Sequence, residues 1–265
     1  MPSTVFDYNS QTKTIVNATA ATYSFGASEI AGDGVAAYYI ALTGTNDDFG
    51  SISRVRVKSG GQVIMDVPQA HLTAFIQRMS TSKWAMAGAD TAFTMPLYTL
   101  DAKGAERYAS GFPNGQAPTV EVVVDGTGAA GTITCGWRLF EGQFPFYSLL
   151  ISSQMNIGSS SVNGRYPLTQ GGLLRGFSVE TTGLDRLRLV INGKQLFNLS
   201  GPLLQQSQAM EGQDGGSTNT LFFKIDEMLP ITAGNSFIEL DTLAGWSGTS
   251  SEVSVYSYIP QETGA

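Results

Sequence analysis

A chain of 265 residues has room for one large domain or two of ordinary size, because single domains cluster at about 100–150 residues. Charged residues make up only 14% of it, so the surface must be rich in Ser, Thr, Asn, Gln and Gly, which suits a protein that meets neighbours over much of its area. The 15 Lys and Arg are scattered among 22 Asp and Glu, for a net charge of −7, a balance that argues against direct nucleic-acid binding.

Residues 1–7 lack the basic and apolar regions of a secretory signal, so export by that route is not expected. The longest uncharged run, 142–164, holds Gln143, Pro145, Gln154, Asn156 and several serines, and no membrane-spanning helix is expected from it. Cys135 is the only cysteine, which rules out an intrachain disulfide and a cysteine-built zinc site. Asn17 and Asn198 open glycosylation-type patterns, read without a secretory route as chance matches.

In chain order, β-rich runs fall near 14–24, 36–43, 52–58, 62–67, 92–99, 119–124 and 132–140, separated by Gly, Asn, Asp and Ser clusters. Between the fourth and fifth, residues 68–79 place Leu72, Phe75, Ile76 and Met79 at the spacing of a short amphipathic helix, with Pro68 at its first turn. A boundary falls near 141–146. Further runs follow near 146–153, 173–180, 185–191, 194–199, 220–226, 236–241 and 252–259. A weaker helical stripe, Leu203, Leu204 and Met210 behind Ser200 and Pro202, stands between the fourth and fifth of these. Seven runs per half are visible, and the places for an eighth are 107–110 and 228–231.

The two halves share a pattern. Laid without a gap, 53–67 over 185–199, Arg54 meets Arg186, Arg56 meets Arg188 and Gly61 meets Gly193, while Val55, Val57, Ile64, Met65 and Val67 meet Leu187, Leu189, Leu196, Phe197 and Leu199. Arginine alternates with aliphatic residues in both, which puts Arg on one face of a strand and the core residues on the other. Asn192-Gly193 is the signature of a type I′ hairpin turn. Downstream, Phe93 and Met95 match Leu221 and Phe223, Val120, Glu121 and Val122 match Ile238, Glu239 and Leu240, and Ile133, Cys135 and Trp137 match Val253, Val255 and Ser257.

This duplication, carried mainly by 50–79 and 183–210, resembles the double jelly-roll major capsid proteins of tailless, membrane-containing bacteriophages, with corticovirus-like proteins similar in size. The fold expected is therefore all-β, two tandem eight-stranded jelly rolls with a short helix in each: an N-terminal roll over 1–141 and a C-terminal roll over 142–265. The resemblance implies a non-enzymatic capsid protein forming homotrimers of pseudo-hexagonal outline that tile an icosahedral shell over an internal membrane. It further implies minor capsid, membrane and penton or spike proteins and inner-membrane lipid as partners, assembly in the host cytoplasm, and a place in the virion capsid. Calcium at subunit contacts is the one ion it suggests. No catalytic, cofactor-binding or metal residue is assigned.

Individual residues read as structural. His71, the only histidine, falls on the helix flank opposite Leu203 of the second copy. Cys135 alternates with Ile133 and Trp137 and reads as a small buried hydrophobe. Asp47 and Asp48 could ligate calcium, although two adjacent carboxylates are no EF-hand and a solvated turn is the favoured reading. Glu121 and Glu239 take equivalent outward strand positions in different copies, which does not make a glycosidase pair. Arg54, Arg56, Arg186 and Arg188 are expected to pair with carboxylates at contacts between the jelly rolls.

Two other functions compete. A tandem β-sandwich that binds carbohydrate, or a virus spike, would present aromatics such as Trp84, Tyr166 and Trp246 near loops. A bicupin-like enzyme would need more histidines than one.

Overall fold

The computed structural model describes residues 4–16, 19–26, 34–44, 51–59, 61–72, 75, 91–96, 99–100, 106–108, 110–111, 118–127, 130–141, 146–157, 163–180, 184–200, 203, 206–207, 220–242 and 251–262. The chain divides into two compact units, 1–151 with 260–265, and 152–259.

In the first half the strands are β1 (Thr4–Ile15), β2 (Ala21–Gly26), β3 (Gly34–Gly44), β4 (Ile52–Ser59), β5 (Gln62–Pro68), β6 (Thr91–Pro96), β7 (Thr99–Leu100), β8 (Glu106–Tyr108), β9 (Ser110–Gly111), β10 (Thr119–Val124) and β11 (Gly131–Glu141). The second half holds β12 (Phe146–Ile157), β13 (Asn163–Pro167), β14 (Leu173–Glu180), β15 (Leu184–Ile191), β16 (Lys194–Ser200), β17 (Thr220–Pro230), β18 (Phe237–Thr242) and β19 (Ser251–Glu262).

The main sheets run β1-β11-β3-β6 and β2-β10-β4-β5, then β12-β19-β14-β17 and β13-β18-β15-β16. Among the described residues, setting aside the accessory strands β7, β8 and β9 leaves eight per half. Numbered in chain order within its half, each set is arranged 1-8-3-6 and 2-7-4-5, the strand order of a jelly roll.

The eighth strand of each half is not where the sequence pattern placed it. In the first half the run near 14–24 is two strands, β1 and β2, and 107–110 contributes only short pieces, β8 pairing β7 and β9 pairing the edge of β3. In the second half the missing strand is β13, and 228–231 is mostly the tail of the long β17. Both missed strands are poor in local signal. The sequence of β13 is NGRYP, with Gly and Pro in five residues, and β1 is largely polar. They form because a distant partner supplies the ladder: β1 pairs β11 from Thr4↔Glu141 to Ile15↔Gly131.

Alternation sets the faces. In β10, Val120, Val122 and Val124 are buried while Thr119, Glu121 and Val123 face outward. Each valine buried contributes about 1.5–3 kcal/mol. In the second unit Leu174, Phe177, Leu187, Leu189, Ile238, Leu240 and Val253 form one core, on which Phe177, Phe197 and Phe223 stack with ring centroids 5.0–6.0 Å apart.

The duplication extends to local irregularities. The β4–β5 register slips between Val57 and Lys58, and the β15–β16 register slips between Leu189 and Val190, the aligned pair. Gly61 and Gly193, also aligned, both have positive φ, +81° and +79°. Asn192 has φ of 51°, as the type I′ turn requires.

The helices diverge. Residues 69–72 and 75 are helical after β5, with His71, Leu72 and Phe75 buried, whereas Ile76 and Met79 lie outside the described residues. After β16, residues 203, 206 and 207 are helical, and Leu203 is 55% exposed. The aligned positions His71 and Leu203 therefore have opposite environments.

Candidate functional site

Among the described residues the ion pairs lie on the outer faces of β2-β10-β4-β5 and β13-β18-β15-β16, where strand alternation turns every second residue away from the core. In the first unit Arg54 Nη1 donates to Asp66 Oδ2 at 2.6 Å, Arg56 Nε lies 3.5 Å from Asp66 Oδ1, and Lys58 Nζ donates to Glu121 Oε1 at 2.8 Å. In the second, Arg165 donates from Nε and Nη2 to Glu239 Oε2 at 3.0 and 2.7 Å, Arg188 pairs with Glu239 Oε1, and Arg186 Nε donates to Asp241 Oδ2 at 2.7 Å. The Arg165 guanidinium also lies over the Phe237 ring, 3.9 Å from its centroid.

The expectation that Arg54, Arg56, Arg186 and Arg188 pair with carboxylates at contacts between the jelly rolls is corrected: each pairs across strands within its own sheet. Residues opposite one another on neighbouring strands have Cβ atoms about 4.5–5.5 Å apart, close enough for these side chains to meet. Glu121 stands opposite Arg56 and Glu239 opposite Arg188 in the two registers. What differs is the flank that supplies the second carboxylate. In the first unit it is Asp66 on β5, whose aligned residue on β16 is Asn198; in the second it is Asp241 on β18, whose aligned residue on β10 is Val123. The arginines keep their places while the counter-charge changes strands. Sequence reasoning missed Asp66, Asp241 and Arg165 as members of these ladders. The exchange of Asp66 for Asn198 and of Val123 for Asp241 was the available signal.

Reactive side chains are withdrawn from solvent. His71 is fully buried and desolvation lowers its pKa to about 4, so its imidazole is neutral at neutral pH. Cys135 is fully buried and its thiol is pushed up to about 12 by the same cause. The Tyr38 hydroxyl donates to the Pro118 carbonyl, and burial, with a smaller contribution from Cys135, holds its pKa well above the ordinary range. Glu121 and Glu239 are engaged in ion pairs.

Among the described residues no group of three His, Cys, Asp or Glu is arranged to hold a metal ion. Asp47, Asp48, Trp84, Trp246 and Asn17 lie outside the described residues. Tyr166 is half-buried and packs against the second core, so it is not an open aromatic platform. Asn198 is exposed on β16.

Compared with solved structures, the chain is similar to the major capsid protein P2 of bacteriophage PM2, with a TM-score of 0.70 and 11% identity over 99% of this chain and 100% of that one. The PBCV-1 virus capsid gives 0.55 and 10% identity over 100% of this chain and 98% of that one. The Faustovirus major capsid protein gives 0.53 and 6% identity over 98% and 90%. The fold is a double jelly roll. No protein-family model and no curated protein sequence matches the chain. Within the double jelly roll, the charged ladder joins the fourth, fifth and seventh strands of the first roll and the second, fourth and seventh of the second, so the two rolls share arginines on the fourth strand and a glutamate on the seventh as well as a topology.

Proposed function

We propose that this chain is the major capsid protein of an icosahedral virus, a self-assembling structural protein with no catalytic turnover. The observation that carries the reading is the presence of two eight-stranded rolls of identical strand order in one chain, similar over 99% of its length to the PM2 capsid protein. Two rolls per subunit, divided between 1–141 and 142–265, give a homotrimer six rolls around its axis. Such a pseudo-hexagonal unit tiles a closed shell, here over an internal membrane, in contact with minor capsid, membrane and spike proteins.

The chemistry supports a passive role. The only histidine and the only cysteine are both buried: the thiol is pushed up to about 12, where a nucleophile needs a lowered pKa, and the imidazole is lowered to about 4, where a general base works best near neutrality. A surface with 14% charged residues suits extensive contact with neighbours. On this reading the protein assembles in the host cytoplasm and resides in the virion shell of a tailless bacteriophage.

The test is the mass of the purified protein by sedimentation, with electron microscopy of the same sample. The expected result is a trimer that builds hexagonal arrays or shells; a monomer at all concentrations that captures glycans would overturn it.

A further inference from the structure

We propose that the outer faces of β2-β10-β4-β5 and β13-β18-β15-β16 are the contacts by which one copy of the chain holds the acidic surface of the next. The proposal rests on the capsid reading and assigns to it a surface and a chemistry.

The charges on these faces lie at two depths. The carboxylates of Asp66, Glu121, Glu239 and Asp241 are only 12–19% exposed, whereas the cations over them are 28–59% exposed. The acids are recessed and the guanidinium groups project. Among the described residues each ladder sets three cations over two carboxylates, so its net charge is +1. Together the ladders hold six of the chain's 15 cations and four of its 22 carboxylates, and the exposed Asp185 on β15 and Lys194 on β16 cancel one another, so these strands are +2 on a chain of net −7 and leave the remainder at −9.

The cations are also of one dominant type. Five of those six cations are arginine, although the chain has only nine arginines against six lysines. Arginine is enriched at protein contacts and lysine depleted, because its planar fork grips a carboxylate through two hydrogen bonds at a lower desolvation cost. An aliphatic side chain flanks each ladder on the edge strand: Val63 on β5 is 41% exposed and Leu196 on β16 is 43% exposed. Projecting arginines beside an open aliphatic group fit a protein partner better than a free anion.

Charge also fixes the geometry of contact. Two basic faces repel, so a basic face does not pack on its own copy and must meet a different, acidic surface. Two different surfaces that meet head to tail close into rings or extend into lattices, as shell building requires.

The experiment is sedimentation of the full-length chain and of Arg56→Glu and Arg165→Glu, singly and together, with circular dichroism and thermal melting to verify folding. Arg56→Gln and Arg165→Gln serve where a reversal disturbs the fold. The double reversal is expected to raise the concentration needed for assembly about tenfold or more, and 0.5 M NaCl to weaken wild-type assembly in the same sense. Folded double variants that assemble as wild type does, in particular if they instead lose binding to vesicles of phosphatidylserine and phosphatidylcholine, would overturn this assignment while leaving the capsid reading intact. A wild-type chain that never self-associates would overturn both.

Discussion

Asn192 Oδ1 accepts the backbone N–H of Thr232 at 2.8 Å, tying the turn between β15 and β16 to the segment between β17 and β18. The same oxygen accepts from Ala233 N at 3.0 Å, while Asn192 Nδ2 donates to the Pro230 carbonyl at 2.9 Å and Asn192 N donates to Ser236 Oγ at 2.8 Å. One side chain therefore satisfies backbone groups of a neighbouring loop while its own backbone holds a left-handed φ of 51°.

Asn192→Gly keeps that backbone and deletes the side-chain bonds, so it is expected to destabilise the second unit by about 1–2 kcal/mol. Asn192→Ala loses the same bonds and adds about 1 kcal/mol of left-handed strain. Urea unfolding of the three proteins checks this. Identical midpoints for Gly and Ala would show that the turn does not retain positive φ.

His71 makes stability depend on pH. Its folded pKa, about 4, lies below the unfolded value near 6.5, so the unfolded chain takes up a proton first as pH falls. The contribution is complete above pH 6.5 and is lost between about 6.5 and 4, at most about 3 kcal/mol. Thermal midpoints measured at pH 7 and pH 5 are expected to fall less for His71→Leu than for wild type. Equal falls in the two proteins would place the histidine in solvent.

Cys135, with its thiol pushed up to about 12, is expected to resist thiol reagents in the folded protein and to react at once in denaturant. Cys135→Val matches the aligned Val255, itself 2% exposed, and is expected to cost less than about 1 kcal/mol. Stoichiometric labelling of native protein within minutes would contradict the burial.

Glu239 separates two arginines, whereas Glu121 holds one lysine. Glu239→Gln leaves Arg165 and Arg188 adjacent without their shared counter-charge and is expected to cost about 1–2 kcal/mol, against less than about 1 kcal/mol for Glu121→Gln. Denaturation in low and high salt tests the point: salt should narrow the gap, and equal losses at low salt would mean that the shared pairing is not realised in solution.

Much of this architecture is legible in the order of residues. The aligned Arg54/Arg186 and Arg56/Arg188 pairs, the turn at Asn192-Gly193 and the alternation through Val120, Glu121 and Val122 each act within a few residues, where backbone preference and the two-residue period of a strand decide the outcome. The strands that escaped notice, β1 and β13, have little preference of their own. They exist because β11 and β18 offer unpaired backbone groups to them.

The sequence by itself determined that the chain is a doubled all-β protein with matched arginine strands. Tertiary structure alone decided which carboxylates meet those arginines and why His71 is buried while Leu203 is open. The reason is physical: alternation and turn chemistry are short-range and written in neighbours, whereas an ion pair or a buried site depends on which distant strand the ladder brings alongside.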